Sequence, residues 1–369
     1  MARGTLLSES LSVGDDPVEV FELVERNGWG DGLPVIPPTE ERVQAMLEAT
    51  PLPPEHVVGI VDPRRGAATV EKVAVNAVLA GCAPAVFPAV LASVEAVTRP
   101  EFNLHALATT TCSATPALML NGPARHALGI ECGYSCLGHN GRANATIGRA
   151  LRLVMRNVGG SIPGEVSKSC FGQPGRVSLC FGEWEERSPW EPFHVRRGFD
   201  LEQSVLTATC ATGTQDIADV FSESGEELLG VIAHGIDWIG NNKVLVPQDK
   251  GDMLLLLCPD FADKIARDGY SVADVQQALY DGTRTPIERW PRGLWPKLES
   301  RGYVESDGTV PLAARPDQFL VAVAGGPSGH HAQWFCTFGL TWTVSVPFTL
   351  DGASQAEGEV CELPAREAP

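Results

Sequence analysis

Apolar and polar residues recur along this chain with the periods of helices and strands. An apolar stripe at helical spacing predicts a helix over residues 17–28 that ends at Gly28. Two segments rich in alanine and valine, residues 69–80 and 84–97, carry little charge and predict buried helices. The same period predicts further helices over residues 40–47, 144–157, 226–238, 260–268 and 271–281.

Short apolar runs bounded by glycine, proline or polar turns predict buried strands. These runs cover residues 117–120, 177–181, 205–210, 253–257 and 319–324. Because strands and helices alternate, the pattern favours an α/β fold with mixed sheet layers and buried helices around a cysteine-rich central site. We expect a first domain over residues 1–215 and a second α/β half over residues 216–369, packed on each other or forming one compact unit.

Composition narrows the classes of function. Hydrophobic residues make up 44% of the 369 residues, which is enough for a substantial core. Acidic residues outnumber basic ones 46 to 28, and the formal charge of -18 argues against a nucleic acid or an anionic membrane surface as partner. No stretch approaches the roughly 20 apolar residues of a membrane span, and the N-terminus does not resemble a secretory signal. We therefore expect a cytoplasmic protein with a small-molecule substrate, and leave open whether it forms a homo-oligomer.

Ten cysteines are too few for a disulfide scaffold in a chain of this length, and the cytoplasm would keep them as thiols. Six of them fall between Thr109 and Asp216, and five of these six stand beside turn-forming or small residues: Cys112, Cys132, Cys136, Cys170 and Cys210. A flexible backbone of this kind lets several sulfurs converge on a metal. Four of the remaining cysteines are predicted to be inert core residues: Cys82, Cys180, Cys258 and Cys336. The last, Cys361, lies in the polar tail.

A glycine-rich turn with His139 leads into the most strongly marked helix, near Arg142, with Asn144 as its expected N-cap. The unpaired N–H groups of the first turn would hold an anion beside Arg142 and would lower the pKa of the Cys136 thiol. An ordinary capped helix with a surface arginine fits the same spacing.

Two other segments carry candidate chemistry. The turn at residues 325–331 follows a predicted strand, which makes His330 a candidate for substrate binding or catalysis. The acidic run from Glu183 to His194 offers groups for proton transfer, although such a run beside prolines is typical of a solvated loop.

Several blocks of the sequence stand out together: GDGLPVIPPT at residues 30–39, VEKVAVN at 70–76, NGP at 121–123, GRANATIGRALR at 141–152, NVGG at 157–160 and SPWEP at 188–192. They resemble the long companion domain found with UGSC-type (seleno)proteins, a largely uncharacterised bacterial family. The resemblance runs from about Trp29 to His194 and, more thinly, to the turn at Gly325. It implies a redox or thiol-dependent enzyme that acts with a small thiol or selenol protein.

The chain departs from the family pattern at its cysteines. Cys112 stands where the pattern has a histidine, and Cys132, Cys136 and Cys170 stand where it has small residues. These four residues are therefore predicted to bind one [4Fe-4S] cluster or zinc, with Cys210 as a fifth ligand or a nearby nucleophile.

Three functions follow from these patterns. The first is an iron–sulfur enzyme, an oxidoreductase or lyase or one that transfers sulfur, with candidate catalytic residues Cys210, His139, Arg142 and His330. The second is a cofactorless enzyme in which Cys112 or Cys136 is the nucleophile, acting with a small thiol or selenol partner protein. The third is a structural zinc–thiolate subunit that serves a catalytic partner.

Overall fold

The computed structural model describes residues 6–14, 16–138, 141–240 and 251–350. The helices are α1 (Pro17–Arg26), α2 (Glu40–Leu47), α3 (Val70–Ala80), α4 (Phe87–Thr98), α5 (Leu104–Thr109), α6 (Ala124–Ala127), α7 (Arg142–Asn157), α8 (Phe193–Arg196), α9 (Gly225–Ile236), α10 (Pro259–Arg267), α11 (Val272–Gly282) and α12 (Trp295–Ser300). The strands are β1 (Val57–Val61), β2 (Gly66–Thr69), β3 (Thr115–Asn121), β4 (Cys180–Gly182), β5 (Ser204–Ala211), β6 (Gly213–Ala218), β7 (Met253–Leu257), β8 (Arg284–Pro286), β9 (Thr309–Pro311), β10 (Phe319–Val323), β11 (His331–Cys336) and β12 (Val344–Phe348). None of the described helices has the length and apolar composition that crossing a bilayer requires.

Local signals account for where several helices begin and end. The side chains of Thr39 and Thr69 accept hydrogen bonds from backbone N–H groups in the first turns of α2 and α3, which satisfies donors that have no partner within the helix. Ser271 forms a capping box with Asp274 at the start of α11. Gly81 ends α3 in the left-handed conformation that glycine adopts without steric cost.

The first sheet has the strand order β12-β5-β3-β4, in which β3 and β4 are parallel and β5 runs antiparallel to β3. Alternate residues of β5, from Leu206 to Cys210, pack against the helices α3, α4 and α7 on the outer face of this sheet. The buried helices expected from the alanine- and valine-rich segments are confirmed as α3 and α4.

The second sheet has the order β10-β7-β11-β6, in which β7 and β10 are parallel. Its outer face packs on α9, α10 and α11. The inner faces of the two sheets pack on each other, and Phe181 of the first sheet stacks on Phe335 of the second with ring centroids 5.8 Å apart. The resulting arrangement is a four-layer α/β/β/α sandwich, which confirms the α/β class.

The two sheets interlock along the chain. The boundary expected at residues 215 and 216 lies inside β6, which pairs with β11 of the second sheet. Near the end of the described chain, β12 returns to pair with β5 of the first sheet. The halves on either side of the expected boundary therefore contribute strands to a shared core.

Candidate active site

The loops that follow the parallel strands of the two sheets meet each other. The backbone N–H of Gly325, after β10, donates to the carbonyl of Cys132 at 2.8 Å, and that of Trp184, after β4, donates to the carbonyl of Val323 at 2.7 Å. Carboxyl ends of parallel strands are the usual position of binding sites in α/β proteins. The candidate site is therefore built where both sheets end.

The Cys132–Cys136 loop is held by Asn144, which is buried. The Asn144 side chain accepts from the N–H of Glu131 at 2.9 Å and donates to the carbonyls of Glu131 at 2.9 Å and Cys136 at 3.3 Å. The expected capping role of Asn144 is wrong, because α7 begins at Arg142 and Gly141 occupies the N-cap position. Spacing alone did not distinguish an asparagine that caps its own helix from one that braces another loop.

A cavity of about 250 Å³ lies beside this loop, and we call it the thiol pocket. It is lined by Tyr134, Cys136, Leu137, Leu256, Cys258, residues 324–329, His331 and Gln333. The Tyr134 ring lies against Gly326, where any side chain would collide with it, and its hydroxyl donates to the carbonyl of Pro327 at 3.2 Å. Tyr134 thus covers one side of the pocket.

Three side chains with the chemistry of a nucleophile, a base and an orienting acid lie next to each other here: Cys258 and His331 line the pocket, and Asp216 lies beside His331 on the neighbouring strand. Leu257 pairs with Ala332, and the N–H of Cys258 donates to the carbonyl of His331 at 3.2 Å, so Cys258 lies directly opposite His331. Residues in that relation have Cβ atoms about 4.5–5.5 Å apart on one face of a sheet. The Nδ1 atom of His331 lies 3.0 Å from both carboxylate oxygens of Asp216 on β6.

Cys258 lies at the junction between β7 and α10. It occupies the N-cap position of α10, and its side chain makes no capping hydrogen bond. A strand that ends in a nucleophile at the start of a helix has the same connectivity as the nucleophile elbow of hydrolases, and the positive end of the helix dipole favours an anion there. Cys258 is buried, as expected from the sequence, but the expectation that it is inert did not take account of this position.

The two thiols of the Cys132–Cys136 loop are close enough to influence each other. Burial raises the pKa of Cys132 to about 11, and the nearby Arg125 guanidinium partly opposes this shift. Burial and the neighbouring Cys132 raise the pKa of Cys136 to about 12, although the backbone N–H of Gly325 hydrogen-bonds its sulfur. The expected lowering of the Cys136 pKa by the α7 N-terminus is wrong, because desolvation outweighs hydrogen bonding.

A cluster of charged side chains lies behind Cys132, at the carboxyl ends of β3 and β4. We call it the acid–arginine cluster, and it comprises Asn121, Arg125, Glu183, Glu185, Glu186, His194 and Arg196. Glu183 and His194 are both 0% exposed, so the solvated loop expected for this acidic run is wrong at both of these positions. These charged residues are buried because apolar residues between them pack in the core. Phe193 belongs to the core between the sheets, and its backbone N–H donates to the Glu183 carboxylate at 2.7 Å.

The acid–arginine cluster contains one more carboxylate than guanidinium groups. Three glutamates face two arginines, and the Glu183 Oε1 and His194 Nδ1 atoms have no hydrogen-bond partner among the described residues. Burial raises the pKa of Glu183 to about 7, an effect that the Arg196 guanidinium partly offsets. The cluster therefore holds an extra proton in mildly acidic solution.

Replacing Glu183 by glutamine should flatten the pH dependence of stability. The folded protein retains a proton on Glu183 between pH 4.5 and about 7, whereas the unfolded chain has released it. The free energy of unfolding of the wild type therefore falls as the pH rises through this window, by about 3 kcal/mol from this group. A glutamine preserves the acceptor for Phe193, so the variant should lack this loss in urea titrations from pH 4.5 to 8. Glu191→Gln, an exposed neighbour, serves as the control, and equal slopes in all three proteins would contradict the assignment.

The cysteines expected to bind one metal lie on different sides of the first sheet. Cys112 packs with Cys210 on the outer face, whereas Cys136 belongs to the core between the sheets. Cys170 is exposed, and its backbone N–H donates to the carbonyl of Thr111 at 2.9 Å. Across residues 6–14, 16–138, 141–240 and 251–350, no three His, Cys, Asp or Glu side chains are grouped as a metal site requires. The described structure thus does not bring these four cysteines together as one metal site.

The other candidate catalytic residues lie outside the thiol pocket. Both Nε and Nη2 of Arg142 donate to the carbonyl of Gly81, at 3.0 and 2.9 Å. The His330 ring lies 6.4 Å from that of Phe261, and the pocket is lined by His331 instead. Cys210 is buried among apolar residues, where burial raises its pKa to about 12. His139 and Cys361 lie outside the described residues.

Comparison of the chain with models of protein families, with curated proteins and with solved structures yields no match. The residues around the thiol pocket are therefore the basis for assigning a function.

Proposed function

We propose that the protein is an enzyme whose nucleophile is the thiol of Cys258, with His331 as general base and Asp216 as the residue that orients the base. The observation that supports this most strongly is the strand register, which puts Cys258 opposite a histidine whose Nδ1 atom is 3.0 Å from a carboxylate. In hydrolytic and transfer enzymes, cysteine and serine are activated by the same arrangement, in which a base contacts the nucleophile and an acid contacts and orients the base.

The chemistry follows from the tautomer that Asp216 favours. A hydrogen bond from Nδ1–H to Asp216 leaves the lone pair on Nε2, which can accept the proton of the Cys258 thiol. The thiolate then attacks an electrophilic atom of the substrate, and the histidine returns the proton to the leaving group. The His331 side chain is 53% exposed, so it can exchange that proton with water.

The pocket favours a small substrate and a reaction that uses two thiols. Its volume of about 250 Å³ is below the usual range for drug-sized ligands, and Leu137 and Leu256 provide apolar walls. Cys136 lines the same pocket as Cys258. With a disulfide substrate, the Cys258 thiolate forms a mixed disulfide and releases one thiol, and Cys136 then displaces the second thiol to leave a Cys136–Cys258 disulfide.

Turnover then requires a two-electron reductant. The thiol or selenol of a small partner protein, the partner that the family resemblance implies, would attack this disulfide, release one cysteine and stay bonded to the other. A second thiol of the partner would then displace that cysteine, so both cysteines are reduced and the partner leaves as an internal disulfide or selenylsulfide. The proposed class is therefore a thiol-dependent oxidoreductase. The [4Fe-4S] cluster and the zinc site expected from the sequence remain predictions that metal analysis tests.

The experiment combines metal analysis with mapping of reactive thiols. Protein purified without oxygen is assayed for iron, sulfide and zinc, and is treated with limiting iodoacetamide before peptide mapping. We expect labelling at Cys258 ahead of the buried Cys82, with exposed Cys170 as the internal reference for an accessible thiol. Cys258→Ser should remove the fast-labelled peptide and leave Cys170 labelling unchanged. Stoichiometric iron and sulfide, with Cys132 and Cys136 protected from the reagent, would favour the iron–sulfur enzyme instead.

A further inference from the structure

Two arginines lie side by side on the outer face of the first sheet, far from the thiol pocket along β3. Arg152 is on α7, and Arg176 is the last residue of the short 3-10 turn that precedes β4. The Nε atom of Arg152 donates to the carbonyl of Arg176 at 3.1 Å, and Nη2 of Arg176 donates to the hydroxyl of Ser167 at 2.9 Å. Both arginine side chains are partly buried, and Ser167 is buried.

Neither guanidinium has a carboxylate within 4.0 Å among the residues that the structure describes. Arg125 and Arg149, by contrast, each contact a carboxylate: Arg125 contacts Glu185 at 2.9 Å, and Arg149 contacts Asp31 at 2.7 Å. Burial, together with the nearby charge of Arg176, lowers the pKa of Arg152 to about 9. Two like charges in a partly desolvated place are unfavourable without a counter-ion, and this chain has an excess of acids that could have supplied one.

The surroundings of the pair are mixed, since Nη1 of Arg152 donates to the sulfur of Met155, a core residue, at 3.4 Å. Cys112 lies close enough to Arg176 that a thiolate there would favour the charged guanidinium. The loop of Cys112 is held to that of Cys170 by the hydrogen bond from the N–H of Cys170 to Thr111. This loop precedes β3, so the arginine pair lies at the amino end of the strand whose carboxyl end leads to the acid–arginine cluster.

We propose that Arg152 and Arg176 form a binding site for a small oxyanion of the phosphate class. Planar guanidinium groups present parallel N–H donors that match the oxygens of phosphate and carboxylate, and a phosphate dianion balances two arginines. Ser167 is the neutral hydrogen-bonding group of the site. This proposal does not depend on Cys258 being a nucleophile, because the two sites share no residue.

The test is isothermal titration of the full-length, reduced protein with inorganic phosphate in a chloride buffer, with sulfate and acetate as comparison anions. We expect one phosphate per chain, comparable binding of sulfate, and weaker binding of acetate, which carries a single charge. Arg152→Gln and Arg176→Gln should each weaken phosphate binding at least tenfold. Arg156→Gln is the matched control, since Arg156 is one turn further along the same helix and donates to the carbonyl of Gly28.

Folding of each variant is checked by circular dichroism before titration. Should Arg152→Gln fail to fold, Arg176→Gln decides the test, because among the described residues the side chain of Arg176 bonds only to the Ser167 hydroxyl, whereas that of Arg152 holds a backbone carbonyl in place. No binding of phosphate or sulfate to the folded wild type would overturn the proposal. Equal weakening in Arg156→Gln and Arg176→Gln would also overturn it, since binding would then reflect general surface charge.

Discussion

Replacing His331 by alanine is expected to slow the alkylation of Cys258 by iodoacetamide about 100-fold or more at pH 7. The expectation follows from the role of a positioned general base, whose removal costs about 10²–10⁴-fold in rate. Cys258 and His331 face each other across β7 and β11, and the imidazole is oriented by Asp216. Without the imidazole, the proton of the thiol has to leave to bulk water. The rate is measured by quenching timed samples and quantifying the Cys258 peptide by mass spectrometry.

The adjacent histidine provides a matched control. His330→Asn retains the positive φ of 50° that asparagine tolerates, and His330 does not line the thiol pocket. Its Cys258 peptide should be labelled at the wild-type rate. Asp216→Asn should give an intermediate loss, because the imidazole remains but its tautomer is no longer held. A wild-type rate in His331→Ala would eliminate His331 as the base.

Replacing Arg125 by methionine is expected to lower the free energy of unfolding by about 3–5 kcal/mol. Arg125 is 3% exposed, contacts the carboxylates of Glu185 and Glu186 at 2.9 and 2.7 Å, and donates to the carbonyl of Glu183 at 2.8 Å. Methionine has a similar length, so packing is largely preserved. The loss arises because the largely buried Glu185 carboxylate, 10% exposed, remains without its counter-ion and the Glu183 carbonyl loses its donor.

Urea denaturation followed by circular dichroism measures this difference. Arg99→Met is the control: Arg99 pairs with Glu95 on the surface of α4, and its removal should change the free energy of unfolding by no more than about 0.5 kcal/mol. A loss below about 1 kcal/mol in Arg125→Met would mean that the cluster repacks or admits water. The Arg125→Gln variant, which retains hydrogen-bond donors, should lose less than Arg125→Met.

Much of the secondary structure could be predicted because its causes are local. The strand expected over residues 253–257 is confirmed as β7, and the helices expected over residues 260–268 and 271–281 are confirmed within a residue or two as α10 and α11. Apolar spacing and capping residues depend on neighbours in sequence, so a single chain reveals them. The strand expected over residues 177–181 is shorter, since pairing with β3 begins only at Cys180.

The candidate site could not be predicted in the same way. Cys258 was expected to be inert core because the residues next to it in sequence are apolar, and only the pairing of β7 with β11 brings His331 opposite it. Glu183 and His194 were expected in a solvated loop because the sequence of the run does not reveal which cations pack against it. In the structure, Arg125 and Arg196 lie against this run.

The sequence by itself determined the α/β class, the buried helices of the first half and the crowding of cysteines before residue 216. Only the tertiary structure decided which of those cysteines share a side of a sheet, because side chains alternate between faces and a register is set by strands far apart in the chain. The fold places Cys112 and Cys210 on the other side of the first sheet from Cys136. It also brings Cys258, from the second half of the chain, into the same pocket as Cys136. The grouping of Cys136, Cys258 and His331 is therefore a property of strand pairing rather than of spacing along the chain.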